Sequence, residues 1–443
     1  MVELLEVLRD NGTISQEAYA RLFAAAKEED GAEDGDQGST ATRRGSAGRE
    51  RAPAEHQDSE DTTAMTRVHV GRNGLGFASA DGEFRFRLGG WLLTDAAWYD
   101  EGPITELADG TGVRGTRLSW RGSLGKDWQF KSEVEFAGDN IGLRSNFLRY
   151  AGLRPTLITF GNFKEPFGLE RSTNLADISF MERASVSSAL ALDRSVGLGI
   201  RTRAKGWVAN VGLFGQSNVG GGEGQVDATD ESWALSARAA FAPVRGPSGL
   251  LHTGLAASYR AFDDGRIRFR ARPESFLADV FLVDTGAITD VDEVLRYGLE
   301  AAAVVGPFSF QSEYIGTNVR RKGGRSNLDF DGWYVYASYS PTGESRPYDG
   351  NRGVFERIAP YRPLGGKGLG AWELGLRYSH LDLSDEDVIG GTQDLITLGL
   401  NWYPNFNTRL MANYIRVLDV DRPGRTFDGA QADIVQIRGQ MDF

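Results

Sequence analysis

The last nine residues, VQIRGQMDF at 435–443, alternate between apolar or small side chains and polar ones. A period of two places each set on its own face of a β-strand, so one face is apolar and the other is hydrated. A chain terminus usually frays unless neighbours hold it. The stretch therefore predicts a final strand that is paired along its length, with the ring of Phe443 in an apolar environment.

The same alternation recurs upstream, for example in RLSWRGSL (117–124) and DWQFKSEVEF (127–136). Long connections mostly alternate with tight turns, apart from the joins at 138–140 and 341–370. An even number of half-apolar strands, with short turns at one rim and long loops at the other, is typical of an outer-membrane barrel. We count sixteen segments, at about 83–100, 111–124, 127–137, 141–153, 156–165, 194–204, 206–215, 231–242, 250–262, 295–305, 307–318, 327–340, 371–381, 392–403, 407–418 and 431–443.

A closed sheet satisfies its backbone hydrogen bonds internally, which the hydrocarbon core of a bilayer requires. No run approaches the roughly 18 apolar residues of a membrane-spanning helix. A soluble β-sandwich or propeller also alternates but buries its apolar face, whereas tryptophans here recur near strand ends on the apolar parity. The predicted fold class is all-β, a 16-stranded antiparallel transmembrane β-barrel with a short N-terminal helical segment.

The first 64 residues differ in composition from the rest of the chain. They hold 15 acidic and 7 basic side chains, a net charge of −8 out of −12 for the whole chain. Residues 1–27 show two short amphipathic helical patterns, which predict a coiled-coil or bundle segment. Residues 28–64 lack apolar periodicity and predict a disordered acidic linker. The barrel is then expected over 65–443. Because no signal-peptide pattern follows Met1, we expect either a cytosolic chain or a mature sequence.

The stretch DGRIRFRARPES (264–275) holds four arginines spaced by two. In an extended segment they project from one edge at ~6.6 Å intervals. Such rows select anions through charge-assisted hydrogen bonds, and several weak neighbouring sites let the ion leave again. The alternatives are an exposed basic strand edge or pairing with lipopolysaccharide phosphates. We call this set the arginine row: Arg266, Arg268, Arg270 and Arg272.

Further basic side chains lie on the hydrated parity of the early strands, and we expect them to line the lumen near its constriction: Arg85, Arg87, Arg117, Arg121 and Lys131. Acidic residues on the hydrated faces would weaken an anion preference by pairing with them: Glu133, Glu135, Glu300 and Glu313. Two long joins contain apolar residues that need cover, so we predict that both fold into the barrel. They are named here the constriction loop (166–193) and the second inward loop (263–294).

Several stretches, taken in order from about Gly71 to Phe443, resemble the porin O/P family of phosphate- and polyphosphate-selective outer-membrane porins. They include DGEFRFRLGG, RGSLGKDWQFKSEVEFAG, GNFKEPFGLERSTNLADISFMERA, TGESRPYDGNRGVFERIAP and TLGLNWYPNFNTRLMANY. The resemblance implies a homotrimer of sixteen-stranded anion channels narrowed by inward loops. It also implies a large inward-folded periplasmic element at 341–370, called here the insert.

The resemblance further implies that Lys164, within GNFKEPF, lines the pore and that the arginine row leads to the anion-binding site. The chain departs from the family pattern at two places that carry basic residues in the family. Trp91 follows the paired glycines of the first strand, and Val113-Arg114-Gly115 stands where two adjacent arginines are usual.

The predicted function is an outer-membrane porin for passive diffusion of small anions, with phosphate or polyphosphate as the expected solutes. The alternatives are a general small-solute porin without phosphate specificity, or a structural outer-membrane anchor that uses its N-terminal periplasmic segment. Expected partners are the transported anions, outer-membrane lipid and lipopolysaccharide, the other subunits of a homotrimer, and a periplasmic or cell-wall partner for residues 1–64.

We expect no enzyme activity, although a barrel hydrolase is a weaker alternative. The four histidines are scattered and fit neither a metal site nor a nucleophile with its base. No cofactor, no metal site and no nucleic acid partner are predicted. The sequence contains no cysteine, which excludes disulfides and thiolate ligands.

Overall fold

The computed structural model describes residues 67–71, 74–100, 107–138, 141–215, 232–246, 249–365 and 368–443. The predicted helical segment (1–27) and linker (28–64) lie outside the described residues. Within the described ranges, we find no helix that is both long and apolar enough to cross a membrane.

Sixteen of the strands in the described part of the chain form one closed antiparallel barrel. Each pairs with the next barrel strand along the chain, and the last pairs with the first from Asp433↔Asp100 to Asp442↔Trp91. Each overlaps one predicted segment, so the fold class is confirmed. The strands are β3 (Phe84–Asp100), β4 (Gly110–Leu124), β5 (Trp128–Glu135), β6 (Gly142–Tyr150), β7 (Leu157–Lys164), β8 (Arg194–Ala204), β9 (Trp207–Phe214), β10 (Ser232–Gly246), β11 (Gly249–Ile267), β14 (Ile288–Val305), β15 (Phe308–Arg321), β16 (Leu328–Tyr339), β19 (Ala371–Asp385), β20 (Val388–Tyr403), β21 (Thr408–Asp421) and β22 (Ala432–Asp442).

The burial pattern is the reverse of that in a soluble sheet. In β22, Ile437 and Met441 are 45% and 50% exposed, whereas Arg438 and Gln440 are each 2% exposed. Apolar side chains therefore face outward and polar side chains face the interior, as a bilayer requires. Phe443 completes the closure, because its N–H and C=O exchange hydrogen bonds of 3.0 Å and 2.9 Å with Gly90.

Two strands before the barrel were not predicted. β1 (Arg67–Gly71) and β2 (Gly74–Ala78) form a hairpin, and β2 pairs with the start of β3. The rest of β3 pairs with β22 on that side, so the hairpin extends the wall beyond the end of the last strand. Each strand has only five residues, which is too short for a period of two to stand out.

The strands also extend further than predicted at the rim that carries the long loops. β11 continues to Ile267 and β14 begins at Ile288, so the irregular part of the second inward loop is shorter than 263–294. The extra residues are more polar than the membrane-facing segments, so their alternation between apolar and polar side chains is weaker. Hydrogen bonding between neighbouring strands continues there all the same.

The inserted segments contain short elements of their own. The constriction loop carries α1 (Leu169–Ser172), a 3-10 turn (Leu175–Asp177) and α2 (Ser185–Ala189). The second inward loop holds the paired strands β12 (Arg270–Ala271) and β13 (Val283–Asp284), and the insert holds β17 (Tyr348–Asp349) and β18 (Val354–Phe355). The constriction loop packs its apolar side chains in a core shared with the barrel wall and the second inward loop.

Candidate functional site

A cavity of about 860 Å³ opens inside the barrel, between the early strands and the constriction loop. Glu165 is the single carboxylate among the described residues that line it. That carboxylate is buried, and its oxygens accept hydrogen bonds from Arg260, Ser195 and Ser236 at 2.6–2.7 Å. The same walls hold ten basic side chains: Arg85, Arg87, Arg121, Lys131, Arg149, Lys164, Arg194, Arg201, Arg238 and Arg352. The cavity is therefore strongly cationic.

Three of the predicted residues stand directly opposite one another on adjacent strands. Arg87 on β3 faces Arg121 on β4, which faces Lys131 on β5. We call these three residues the cross-strand row. Lys131 pairs with Glu133 at 2.8 Å, whereas Arg87 and Arg121 make no ion pair with any described residue. Like charges placed directly opposite each other destabilise a sheet. An anion bound between these side chains would therefore reduce their electrostatic repulsion.

Arg117 is placed on the interior face as predicted but does not line the cavity. Its guanidinium group lies 4.5 Å from the centroid of the Trp91 ring. It also donates to Glu135 at 3.0 Å and 3.2 Å, and its side chain is only 13% exposed. Strand parity correctly predicts which face the Arg117 side chain is on. It does not predict that a carboxylate on the next strand pairs with the guanidinium group.

Lys164 lies in the cavity wall, but its charge serves the constriction loop. Its Nζ donates to the backbone carbonyl groups of residues 171–173 at 2.7–3.4 Å. It is the last residue of β7, where the chain turns into the loop. The ammonium group therefore anchors the loop instead of standing free in the lumen.

The acidic residues that were expected to weaken the anion preference mostly form ion pairs or hydrogen bonds with other protein groups. Glu135 binds Arg117, and Glu300 binds Arg238 through two bonds of 2.7 Å. Glu313 accepts the backbone N–H groups of residues 169–170 at 2.6 Å each, at the start of α1. Pairing therefore neutralises part of the basic set, but it leaves Arg87 and Arg121 without a carboxylate among the described residues.

Five basic residues of the cavity were missed by the sequence analysis: Arg149, Arg194, Arg201, Arg238 and Arg352. Arg149 and Arg201 lie on the interior parity of β6 and β8, so the alternation itself could have found them. Arg149 donates to Thr159 at 3.0 Å, and Arg201 makes no ion pair with a described residue. Arg352 belongs to the insert, whose path into the lumen leaves no periodic signal.

The arginine row lies on the second inward loop and does not line the 860 Å³ cavity. Its alternation is present, because the intervening Ile267, Phe269 and Ala271 are fully buried while the arginines are partly or fully exposed. The guanidinium groups of Arg270 and Arg272 lie 4.0 Å and 5.0 Å from the centroid of the Phe281 ring.

Two members of the arginine row pair with carboxylates. Arg272 lies 3.8 Å from Asp279, and Arg268 is held by Asp284. Its Nε donates to Asp284 at 2.7 Å, and its Nη2 binds the second oxygen. Burial acts to raise the pKa of Asp284, but the bonds from Arg268 and the Gly286 N–H hold that pKa below its ordinary value. Asp284 also borders a second cavity of about 340 Å³, beside Arg321 and Arg422.

Glu274 ties the two inward loops to the barrel wall. This fully buried carboxylate accepts the backbone N–H of Ser185 in the constriction loop at 3.0 Å. It also accepts hydrogen bonds from Ser379 and Thr397 at 2.5 Å and 3.0 Å, and pairs with Arg377. The two loops and the wall thus share one buried polar network that the spacing of residues along the chain could not reveal.

Glu182 holds the constriction loop from the other side. It accepts hydrogen bonds from Arg114 at 2.6 and 2.9 Å and from Arg438 at 2.6 Å. Burial acts to raise the pKa of Glu182, but the two guanidinium groups outweigh it and hold the pKa at about 2. Arg438 also binds Asp95 of β3 through two bonds of 2.7 Å. The loop is therefore fastened directly to β4 and β22, and to β3 only through Arg438.

Comparison with known proteins gives a consistent picture. The family model for phosphate-selective porin O and P matches residues 86–443. An uncharacterized protein of Caulobacter vibrioides is 33% identical over 349 residues, covering 76% of this chain and 69% of that protein. Porin O of Pseudomonas aeruginosa is 27% identical over 384 residues, covering 78% of this chain and 85% of its own length.

Solved structures share the barrel. An anion-selective porin from Comamonas acidovorans has a TM-score of 0.51 at 17% identity, covering 82% of this chain and all of that chain. OprB of Pseudomonas putida has a TM-score of 0.50 at 10% identity, covering 82% of this chain and 95% of its own. At these identities the likeness shows the fold.

Proposed function

The chain belongs to the phosphate-selective porin O and P family and is an outer-membrane porin, and from that premise we propose that its lumen conducts small oxyanions of the phosphate class. The family assignment indicates a channel rather than an enzyme. The proposal concerns which anions pass and which residues select them.

The cavity of ten basic side chains and one buried, fully bonded carboxylate is the observation that carries the proposal. A narrow lumen of one charge sign concentrates the opposite ion. Guanidinium groups present planar pairs of N–H donors that match the oxygens of a phosphate or carboxylate. The arginine row supplies further cationic sites on the second inward loop, so an anion would pass between several weak sites.

Conductance measured in potassium chloride and in potassium phosphate tests the phosphate preference. We expect phosphate current to saturate as its concentration rises, because phosphate occupies the cationic cavity for longer. We also expect added phosphate to inhibit chloride current. Strictly proportional conductance in both salts, with no inhibition, would refute the phosphate preference.

A general small-solute porin is the second candidate, and the pairing of two arginines favours it. Arg114 binds Glu182 and Arg117 binds Glu135, so neither adds a free cation at the constriction. Liposome swelling with neutral sugars separates the two candidates. Swelling at rates set by sugar size alone, together with weak ion preference, would support the general pore.

We further propose that the porin works as a homotrimer, with residues 1–64 in the periplasm and the apolar barrel exterior against outer-membrane lipid and lipopolysaccharide. Family membership supports the homotrimer and the membrane position of the barrel. A variant lacking residues 2–64 should keep the conductance of the intact protein. If trimers are lost from cross-linked membranes while conductance per barrel persists, residues 1–64 serve assembly or anchoring to a periplasmic partner.

A further inference from the structure

Three phenylalanines break the rule that interior positions of a porin wall are polar. Phe147 on β6, Phe163 on β7 and Phe214 on β9 all lie on the interior parity. Their strand neighbours Leu148 and Phe160 are 42% and 64% exposed on the outer face, which fixes the direction. Strands of outer-membrane barrels alternate apolar outward with polar inward, so three inward rings within four consecutive strands, β6 to β9, are unexpected.

The wall is shaped to seat these rings. Phe147 and Phe163 have ring centroids 6.3 Å apart, and Phe163 and Phe214 have centroids 5.2 Å apart. A Cβ atom at Gly199 would lie 2.8 Å from Phe163, and one at Gly212 would lie 2.6 Å from Phe214. Only glycine leaves the space that the rings fill. We call Phe147, Phe163 and Phe214 the aromatic patch.

The aromatic patch borders the cationic cavity. Phe147 and Phe163 are partly exposed, and Phe214 packs behind them at 1% exposure. The guanidinium group of Arg149 lies 4.7 Å from the centroid of the Phe147 ring, and Arg201 lies on the interior face of β8, two residues beyond the glycine that seats Phe163. Cationic heads and phenyl faces thus line one space.

The face of a phenyl ring does not attract an inorganic anion. The face of an aromatic ring carries the negative part of its quadrupole and repels a bare anion, whereas another aromatic ring packs against it favourably. A pore wall that served only phosphate or chloride would gain more from serine or asparagine at these positions. The patch therefore indicates a solute with both an acidic group and an apolar body.

We propose that the pore binds and passes aromatic oxyanions, small molecules with a phenyl-type ring bearing one acidic group. The acidic group would pair with Arg149 or Arg201 while the ring rests on Phe147 and Phe163. The cavity, at about 860 Å³, has the size of sites that bind small organic ligands. This inference rests on the proposed anion channel and specifies a class of solute within it.

Block of chloride current by two sulfonates tests the inference, with the full-length protein in planar bilayers. Benzenesulfonate and methanesulfonate are both monoanions at neutral pH and differ in the ring. In the wild type we expect half-block by benzenesulfonate at a concentration roughly three- to tenfold lower than by methanesulfonate. The variant Phe147→Ser/Phe163→Ser should lose this difference. Phe160→Leu on the outer face of the same strand is the control and should retain it.

Equal half-blocking concentrations in the wild type would overturn the inference, and so would a difference that survives in Phe147→Ser/Phe163→Ser. If that variant fails to form heat-modifiable barrels, Phe147→Leu/Phe163→Leu replaces it. An unchanged difference between the two half-blocking concentrations in this second variant would also overturn the inference. A wild-type pore without anion preference in chloride would refute the proposed function. An anion-preferring pore that treats both sulfonates alike would refute only the aromatic solute class.

Discussion

Neutralising the two cations of the cross-strand row that lack a carboxylate partner should remove most of the anion preference. Arg87→Gln/Arg121→Gln keeps polar side chains in place on β3 and β4 and deletes two charges from the 860 Å³ cavity. An anion passing about 5 Å from one such charge in water gains about 0.8 kcal/mol. Screening at 0.1 M salt, where the Debye length is about 10 Å, reduces that gain to about 0.5 kcal/mol. Two charges then lower the free energy of chloride by about 1 kcal/mol and raise that of potassium by about the same amount. The difference of about 2 kcal/mol corresponds to a roughly thirtyfold change in the chloride-to-potassium permeability ratio.

The assay is the zero-current potential across a planar bilayer with a potassium chloride gradient. Lys126→Gln is the matched control, because it removes one positive charge from an exposed turn between β4 and β5, outside the cavity. We expect the control to match the wild type and the double variant to shift toward equal permeability. An unchanged ratio in the double variant would refute the assignment of selectivity to this row, as would an equal shift in the control.

Three further results are expected from the same structure. Glu274→Gln should expose the second inward loop to trypsin, because buried Arg377 loses its closer carboxylate and keeps only Glu170, at 3.6 Å. Breaking such a buried pair costs up to about 3–5 kcal/mol, and a cleavage pattern identical to the wild type would contradict the role of Glu274 in holding the loop. Deleting Phe443 should lower the yield of heat-modifiable barrel, since the closing strand loses its last pair of backbone bonds, and full yield would argue against that closure. The pKa of Glu182 is lowered from 4.5 to about 2, so its stabilisation of the constriction loop is complete above pH 4.5 and is lost as the pH falls toward 2. Conductance and current noise should therefore be the same at pH 7 and pH 5 and should change below about pH 3. A change already at pH 5 would contradict this prediction.

The barrel could be predicted because a period of two repeated over long strands is a strong signal. From Val435 to Phe443 every second side chain is apolar or small, and the structure places the polar side chains of Gln436, Arg438 and Gln440 inside. The hairpin of β1 and β2 could not be predicted in the same way, because five residues are too few for a pattern. The inward folding of the constriction loop was signalled by Phe180 and Leu190, which are each 1% exposed.

The candidate site was predictable only as far as strand parity reaches. Arg87 and Arg121 were placed on the interior face by alternation alone. Alternation could not show that Arg117 forms an ion pair with Glu135, or that Lys164 donates hydrogen bonds to backbone carbonyl groups of the constriction loop. Those partners lie on another strand or in an inserted loop. Arg352 reaches the cavity from the insert, where no periodic constraint applies.

The phenylalanines of the aromatic patch show a different limit. The run from Phe147 through Leu148 to Arg149 reads apolar, apolar, charged. From side-chain character alone, only the charged residue is recognised as an interior one. The structure puts both Phe147 and Arg149 inside, with the guanidinium group beside the ring. Parity alone assigns Phe147 to the face of Arg149. It does not show that the rings of Phe147, Phe163 and Phe214 lie together, because that depends on the register between strands.

The claim that the lumen selects anions is tested most directly by the sign of the zero-current potential of the wild-type protein in a tenfold potassium chloride gradient. We predict a potential close to the equilibrium potential of chloride, because the cavity wall carries several arginines without an ion pair to a described residue, among them Arg87, Arg121 and Arg201, and a single, hydrogen-bonded carboxylate. A potential close to the equilibrium potential of potassium would contradict the account.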